Sequence, residues 1–351
     1  MNKGFPVIDL HCHLEGSIDP DISFRILRRL GFPAADSRRR FLQKVQGFLP
    51  DRGAFFNAVS LLDKCLINRS SVIKVTSDII KRAADQNVKI LELSLAPRGF
   101  QLRREKKGNL DLFFEAVLEG VRKGTAGRDI AVGLKFLVLP RHLSGEFHAT
   151  YGDIQDIIRD YRPHLVGVDI CTLDPLIKEG HRVSQISKIC YFVRNIGLHL
   201  SAHAGEFLSA QPMAEAIRLG VERIGHGIQV VNRKDIADAV IANNIPLEVC
   251  PVSNYRTGTI TALKKHPLRK LIRMGMKVTI NSDDPSVQGS NWGDDYRIAE
   301  QEIGLTAQEI RRCLEVSFET SFLDSAVKAN YQKYFSSKKS GMSSGSLQNV
   351  G

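Results

Sequence analysis

The chain has 351 residues, with 49 Lys and Arg against 38 Asp and Glu and 43% hydrophobic residues. Those proportions are ordinary for a soluble globular protein and exclude a disordered acceptor tail, a collagen-like rod and a disulfide mini-protein. The net charge of +11 admits nucleic acid, membrane surfaces and anionic substrates as partners, so its placement matters more than its size.

In chain order, short apolar or β-branched runs bounded by turn residues predict eight strands, at residues 7–11, 89–96, 131–139, 165–171, 198–203, 223–226, 246–250 and 277–282. Amphipathic stretches at helical spacing lie between them, at 54–66, 71–84, 110–123, 183–195, 213–219, 234–243 and 267–274. Length alone suggests two domains, but a barrel routinely spends about 250 residues or more on one core. Strands alternating with helices, without a break in composition, predict an α/β fold: one (β/α)₈ TIM barrel over residues 1–335, with the last helices packed over its outside. The insert between the first two strands contains several helical segments and is expected to form a layer, or lid, over one end. Residues 336–351 are Ser- and Gly-rich and read as a disordered tail.

Positive charge gathers at Arg38 to Arg40, at Arg103, Arg104, Lys106 and Lys107, and at Lys338 and Lys339. No aromatic stacking pattern accompanies these runs, so they read as solvated faces rather than as a nucleic-acid surface. The amino terminus carries no apolar stretch of signal-peptide length, and no apolar run reaches 18 residues, so the expectation is a cytoplasmic protein with no membrane partner. Six cysteines, without a C-x-x-C pair, argue for reduced thiols. The H-x-E and P-C-x-x-C signature of cytidine-type zinc deaminases is absent.

A barrel of this kind builds its chemistry at the carboxyl ends of its strands. Strand one ends in His11, Cys12, His13, Leu14, Glu15; strand five in His203, Ala204, Gly205, Glu206; strand six in Gly225, His226, Gly227; strand eight in Ser282, Asp283, Asp284. Residues i and i+2 of an extended segment share a face, so His11 and His13 can share one cation while Cys12 packs on the other side. Three neutral imidazoles and one carboxylate suit Zn²⁺ with a position left for water, whose pKa falls toward about 7. Strand four reads GVDIC, without the lysine that a bridged metal pair would use, so one Zn²⁺ per chain is expected. The other histidines, at 142, 148, 164, 181, 199 and 266, read as solvent-facing or ordinary hydrogen-bonding groups.

The set HCHLEG, SAHAGE, RIGHG, CPVSN and NSDDP, in this order from about Pro6 to Phe318, resembles the adenosine deaminase family of zinc aminohydrolases. The resemblance implies that His11, His13, His203 and Asp283 are metal ligands, that Glu206 gives a proton to the purine ring, that His226 stands beside the attacking water, and that Asp284 orients that water. It also implies substrate contacts at Glu15, Thr172 and Gly205. The chemistry fits independently: water attacks an electron-poor ring carbon bearing an amine, and the neighbouring ring nitrogen must gain a proton before ammonia can leave.

Two features bear on the substrate. Glu15 stands where adenosine deaminases usually carry Asp and adenine deaminases Glu, and Thr172, in DICTL, holds the place of a family glycine. Asn254, Thr257 and Gly258 resemble the nucleoside branch, so the expected partner is a small purine, adenosine or 2'-deoxyadenosine, converted to the inosine product. The alternatives are adenine or an N6-modified adenine nucleoside or nucleotide, whose phosphate Arg98 and the stretch around Arg103 could receive. A catalytically silent binding barrel is the non-enzymatic alternative.

Overall fold

The computed structural model describes residues 6–96, 107–139, 151–171 and 180–335. Its eight strands are β1 (Val7–His13), β2 (Val88–Leu95), β3 (Ala131–Val138), β4 (Gly167–Ile170), β5 (His199–Ala204), β6 (Arg223–His226), β7 (Leu247–Val249) and β8 (Val278–Ile280). Each predicted run falls on one of them, with its ends displaced by two residues or fewer. All pair in parallel in sequence order. Past β8 the chain returns to β1: the Asp283 N–H donates to His11 O (2.8 Å) and the His13 N–H to Asp283 O (2.9 Å). This closure makes a (β/α)₈ barrel, and residues of the expected active site form it.

Of the insert after β1, α1 (Pro20–Arg29), α2 (Arg38–Gln46) and α3 (Arg52–Asp63) lie at the carboxyl end, whereas α4 (Arg69–Asp85) packs on β2 as an outer-ring helix. Capping residues set the starts: Asp19 and Asp51 accept from the amides of Ile22 and Ala54, and Asn68 forms a reciprocal box with Ser71. The ring continues through α5 (Lys107–Thr125), α6 (Tyr151–Tyr161), α7 (Gly180–Asn195), α8 (Gln211–Leu219) and α9 (Lys234–Ala242); α10 (Pro251–Arg256) starts directly past β7 at the carboxyl end, and α11 (Leu268–Arg273) precedes β8. After β8 come α12 (Pro285–Gln288), α13 (Asp294–Gln301), α14 (Ala307–Thr320), α15 (Ser325–Ala329) and α16 (Gln332–Phe335).

The expectation that these last helices cover the outside holds for α14, which packs on β8 and β1. Beyond it, Leu323 and Phe335 pack instead on Ile8, Leu10 and Ile90 and cover the barrel's amino end. No helix among the described residues is long and apolar enough to cross a membrane. Thr172, Arg98, the stretch around Arg103, His142, His148 and residues 336–351 lie outside the described residues.

Candidate active site

β1 departs from simple alternation. Asp9 pairs with Leu91 and Cys12 with Leu93, so β1 carries one extra residue between them, a bulge. Leu10 can therefore join the apolar floor while the next residue, His11, meets Glu248 of β7, with its Nδ1 2.7 Å from Oε2. From Cys12 on, alternation resumes. Cys12 packs away beside Ser17, its Sγ 3.1 Å from Oγ.

Around the mouth the nitrogen and oxygen donors converge. His203 Nδ1 lies 3.1 Å from Asp169 Oδ1 on β4, and its Nε2 lies 3.2 Å from His13 Nε2. Asp283 Oδ1 is 3.2 Å from His13 Nε2 and 3.6 Å from His11 Nε2. With Nδ1–H of His11 and of His203 each given to a carboxylate, both rings turn an Nε2 lone pair toward the same point. His11 Nε2 is buried with no hydrogen-bond partner among the described residues. Asp283 reaches this place through a backbone φ of +64°, and His226 has φ +61°. Both are non-glycine residues in the left-handed region, where strain is tolerated only when the surroundings enforce it.

His226 stands beside this group with Nε2 3.5 Å from Glu206 Oε2 and 4.0 Å from Asp283 Oδ2. Gly205, with φ +67°, turns the chain between His203 and Glu206. Asp284 packs over Gly16, where a Cβ would fall 1.6 Å from its Oδ1, so only glycine fits there. Glu15 Oε1 accepts from the Ala96 amide at the end of β2 (2.8 Å). The structure thus brings His13, His203, His226, Glu206, Asp283, Asp284 and Glu15 to one cavity, with His11 clustered against His203 and His226 beneath it, while Gly205 does not line it.

The insert expected as a layer over one end supplies one wall of the cavity, through residues that the sequence did not single out. Phe55, Phe56 and Val59 of α3 close over it, joined by Leu137 and Cys171 from the ends of β3 and β4. Arg256 donates to Gln46 O (2.8 Å) and Phe48 O (3.1 Å), pinning the α2–α3 connection to the barrel. Phe55 and Val59 fall on the buried side of an amphipathic helix, a pattern that any core-facing helix shares.

Below the mouth the barrel interior is ionic. Arg223 sits between Glu92, which it grips with both terminal nitrogens, and Glu248, whose Oε1 lies 2.6 Å from Nε. Lys135 donates to Leu10 O (2.8 Å) and lies 3.6 Å from Asp169 Oδ2. All five side chains are sequestered from water. Burial pushes the Glu248 carboxyl upward, but Lys135 and Arg223 overcome it and hold it at about 2. The carboxylates behind His11 and His203 are therefore anions held by interior cations. Lys135, Asp169, Arg223 and Glu248 are each the single charge in an otherwise apolar or uncharged strand, while Glu92 shares β2 with Lys89; a lone charge in an apolar run is a signal that could have found four of the five.

The donor set fits a cation. Burial opposes charge on His13, yet Asp283, Asp284 and Asp169 raise its pKa to about 9, and burial's upward push on Asp283 is outweighed by the surrounding imidazoles, which depress it. The site thus attracts positive charge. Other groupings that could hold an ion, among the described residues, are His11 with His203 and His226, His11 with Cys250 and Asp283, and His11 with Asp169 and Glu248. Burial raises the Cys250 thiol well above its ordinary value, and its Sγ–H points to Glu248 O (3.5 Å), so it is a poor thiolate ligand. Burial, with the neighbouring imidazoles, lowers His226 well below the usual histidine range despite Asp283.

Comparison with known proteins agrees with this geometry. The family model described as adenosine deaminase matches residues 6–334. An adenosine deaminase of Vibrio parahaemolyticus is 30% identical over 344 residues, covering 95% of this chain and 98% of its own. An adenine deaminase of Cupriavidus taiwanensis is 27% identical, covering 93% and 90%. The crystal structure of an Arabidopsis N6-mAMP deaminase superposes with a TM-score of 0.80 at 22% identity, covering 95% of this chain and 98% of that one, a likeness of fold. A match over nearly the whole chain, on a barrel whose strand ends gather this histidine and carboxylate cluster, makes the protein a member of the adenosine deaminase family of hydrolytic deaminases.

Proposed function

We propose that this enzyme hydrolyses the amine from a 6-aminopurine nucleoside, adenosine or 2'-deoxyadenosine, giving the inosine product and ammonia, with one Zn²⁺ held by His11, His13, His203 and Asp283. The observation that carries this reading is the 3.5 Å approach of His226 Nε2 to Glu206 Oε2 beside Asp283, at one cavity roofed by Phe55 and Phe56. A bound metal would supply a water acidified toward about neutral pH.

The chain's own groups divide the remaining work. Glu206 holds a proton and passes it to the ring nitrogen beside the amine-bearing carbon as water adds to that carbon. Without that proton the tetrahedral adduct reverts. His226 Nε2 faces the incoming water, and Asp284 accepts a hydrogen bond from it, fixing its direction. Asp284 takes the proton that the water loses and hands it to the amine, the carbon–amine bond breaks and ammonia leaves, and the proton of the adduct's hydroxyl returns to Glu206 as the carbonyl forms. The apolar roof lies against the purine and excludes bulk water. Glu15, at the cavity wall, accepts a hydrogen bond from a ribose hydroxyl.

The runner-up substrate is adenine or an N6-modified adenine nucleotide, favoured by Glu rather than Asp at position 15 and by the naming of relatives as adenine and N6-mAMP deaminases. Ultraviolet assays of adenosine, 2'-deoxyadenosine, adenine and N6-methyl-AMP at matched concentrations decide between them. The nucleosides should give the highest kcat/KM, and a preference for either of the others would replace this proposal.

A further inference from the structure

His226 has a second environment, behind the ring and away from the cavity. Its Nδ1 lies 3.3 Å from Asn254 Nδ2 on α10, Asn254 Oδ1 lies 3.1 Å from His266 Nε2, and the Leu268 amide donates to His266 Nδ1 (3.1 Å). Asn254 is fully buried and His266 nearly so. Leu268 is the first residue of α11, where a helix leaves its amides without internal partners. His266 satisfies one of them.

The polarity of this chain of hydrogen bonds has only one solution. A backbone N–H can only donate, so His266 Nδ1 is the lone-pair nitrogen and the ring's hydrogen sits on Nε2. Burial lowers the His266 pKa to about 3, so the ring stays neutral and cannot carry hydrogens on both nitrogens. Nε2–H must then donate to an oxygen, which orients the Asn254 amide with Oδ1 toward His266 and its NH₂ toward His226. Facing a donor, His226 Nδ1 accepts.

We infer that Asn254 and His266 are positioning residues that lock His226 as its Nε2–H tautomer, with the polarity set by the Leu268 backbone amide. Nε2–H then points at the groups of the cavity, Glu206 Oε2 at 3.5 Å and Asp283 Oδ2 at 4.0 Å. The opposite tautomer would aim a lone pair at the Asp283 carboxylate. It would also leave no N–H at this place to stabilise the negative charge that develops on the oxygen of the attacking water. The kinetic part of this inference rests on the proposed deamination; the tautomer itself does not.

The test is ring-¹⁵N nuclear magnetic resonance of histidine-labelled, zinc-loaded protein, with His226 assigned by the loss of its signal in His226→Gln. In the unmutated protein Nδ1 should resonate as the unprotonated, pyridine-type nitrogen and Nε2 as the protonated one. Asn254→Asp puts an acceptor where the amide NH₂ was and should exchange the two assignments. It should lower kcat by about 10²-fold or more while KM moves less than about threefold and zinc content is unchanged; a reversed tautomer in a catalytic triad costs up to about 10⁴-fold in kcat. His266→Phe removes the donor that orients Asn254 and should give mixed tautomers with an intermediate kcat. That second variant and the unmutated spectrum keep the test decisive if Asn254→Asp does not fold. A hydrogen on Nδ1 of His226 in the unmutated protein, or exchanged assignments with kcat unchanged, would overturn the inference. Absence of turnover on every 6-aminopurine, together with the expected spectrum, would sink the proposed reaction and leave the tautomer standing.

Discussion

Gly225 on β6 faces His11 across the barrel so closely that a Cβ on it would lie 2.7 Å from Cε1 of the imidazole. His11 cannot retreat freely, because its Nδ1 is held by Glu248, which is itself held by Arg223. Gly225→Ala should displace the ring. Since a misplacement of about 1 Å can cost 10²-fold in rate, kcat/KM should drop by about that factor, with zinc content reduced. Unchanged zinc and unchanged kcat/KM would show that the ring has room to move.

Metal content is the second expectation. Elemental analysis of purified protein should find one zinc per chain, and prolonged chelation should abolish deamination until zinc is returned. Two metals per chain at full occupancy, or full activity after chelation, would contradict the mononuclear site.

Glu206→Gln separates holding a metal from moving a proton. The amide keeps the shape and hydrogen-bonding capacity but has no acidic proton to give, so kcat should fall by at least about 10²-fold. Zinc should stay near one per chain. Simultaneous loss of the metal would make Glu206 a ligand or a structural support instead.

Glu15→Gln tests the substrate. If Glu15 accepts from a ribose hydroxyl, removing its charge should cost nucleoside turnover about 1 to 3 kcal/mol, while its Oε1 can still accept from the Ala96 amide. Adenine has no ribose and should be barely affected. Measuring kcat/KM for both substrates in both proteins gives the comparison. Equal losses would place Glu15 at the ring or the metal.

The buried His266 makes an acid-stability prediction. Its folded pKa, about 3, is below the value of about 6.5 expected in the unfolded chain. Between those values the unfolded chain takes up a proton that the folded ring refuses, so stability falls as pH falls through this window and is untouched by the residue above it. Replacing His266 with Phe should flatten the dependence of unfolding free energy on pH between about 4.5 and 6.5, by up to about 1.4 kcal/mol per pH unit. Urea unfolding of both proteins across that range reads the difference; parallel slopes would mean that His266 titrates normally in the fold.

The barrel was legible in the sequence because its signals are local. Each strand is a short apolar run closed by turn residues, and each intervening helix carries its own amphipathic period, so eight alternations appear without tertiary information. The strand-end motifs were legible for a related reason: a parallel barrel delivers all its strand ends to one rim. Position along the chain therefore predicts that His11, His13, His203, His226 and Asp283 meet.

What the tertiary structure decided lies between strands. The bulge in β1 depends on which residue of β2 each β1 residue faces, and alternation within β1 alone cannot reveal an inserted residue. Glu92, Lys135, Asp169, Arg223 and Glu248 come from five different strands, and each is explicable inside a barrel only because the others neutralise it there. The Leu268, His266, Asn254 and His226 chain depends on distances between side chains on separate elements and on one backbone amide at a helix start. Local propensity and periodicity select the elements and their order. The state of a buried charge or a ring hydrogen is set by partners brought from elsewhere in the chain, and only folding brings them within hydrogen-bond reach.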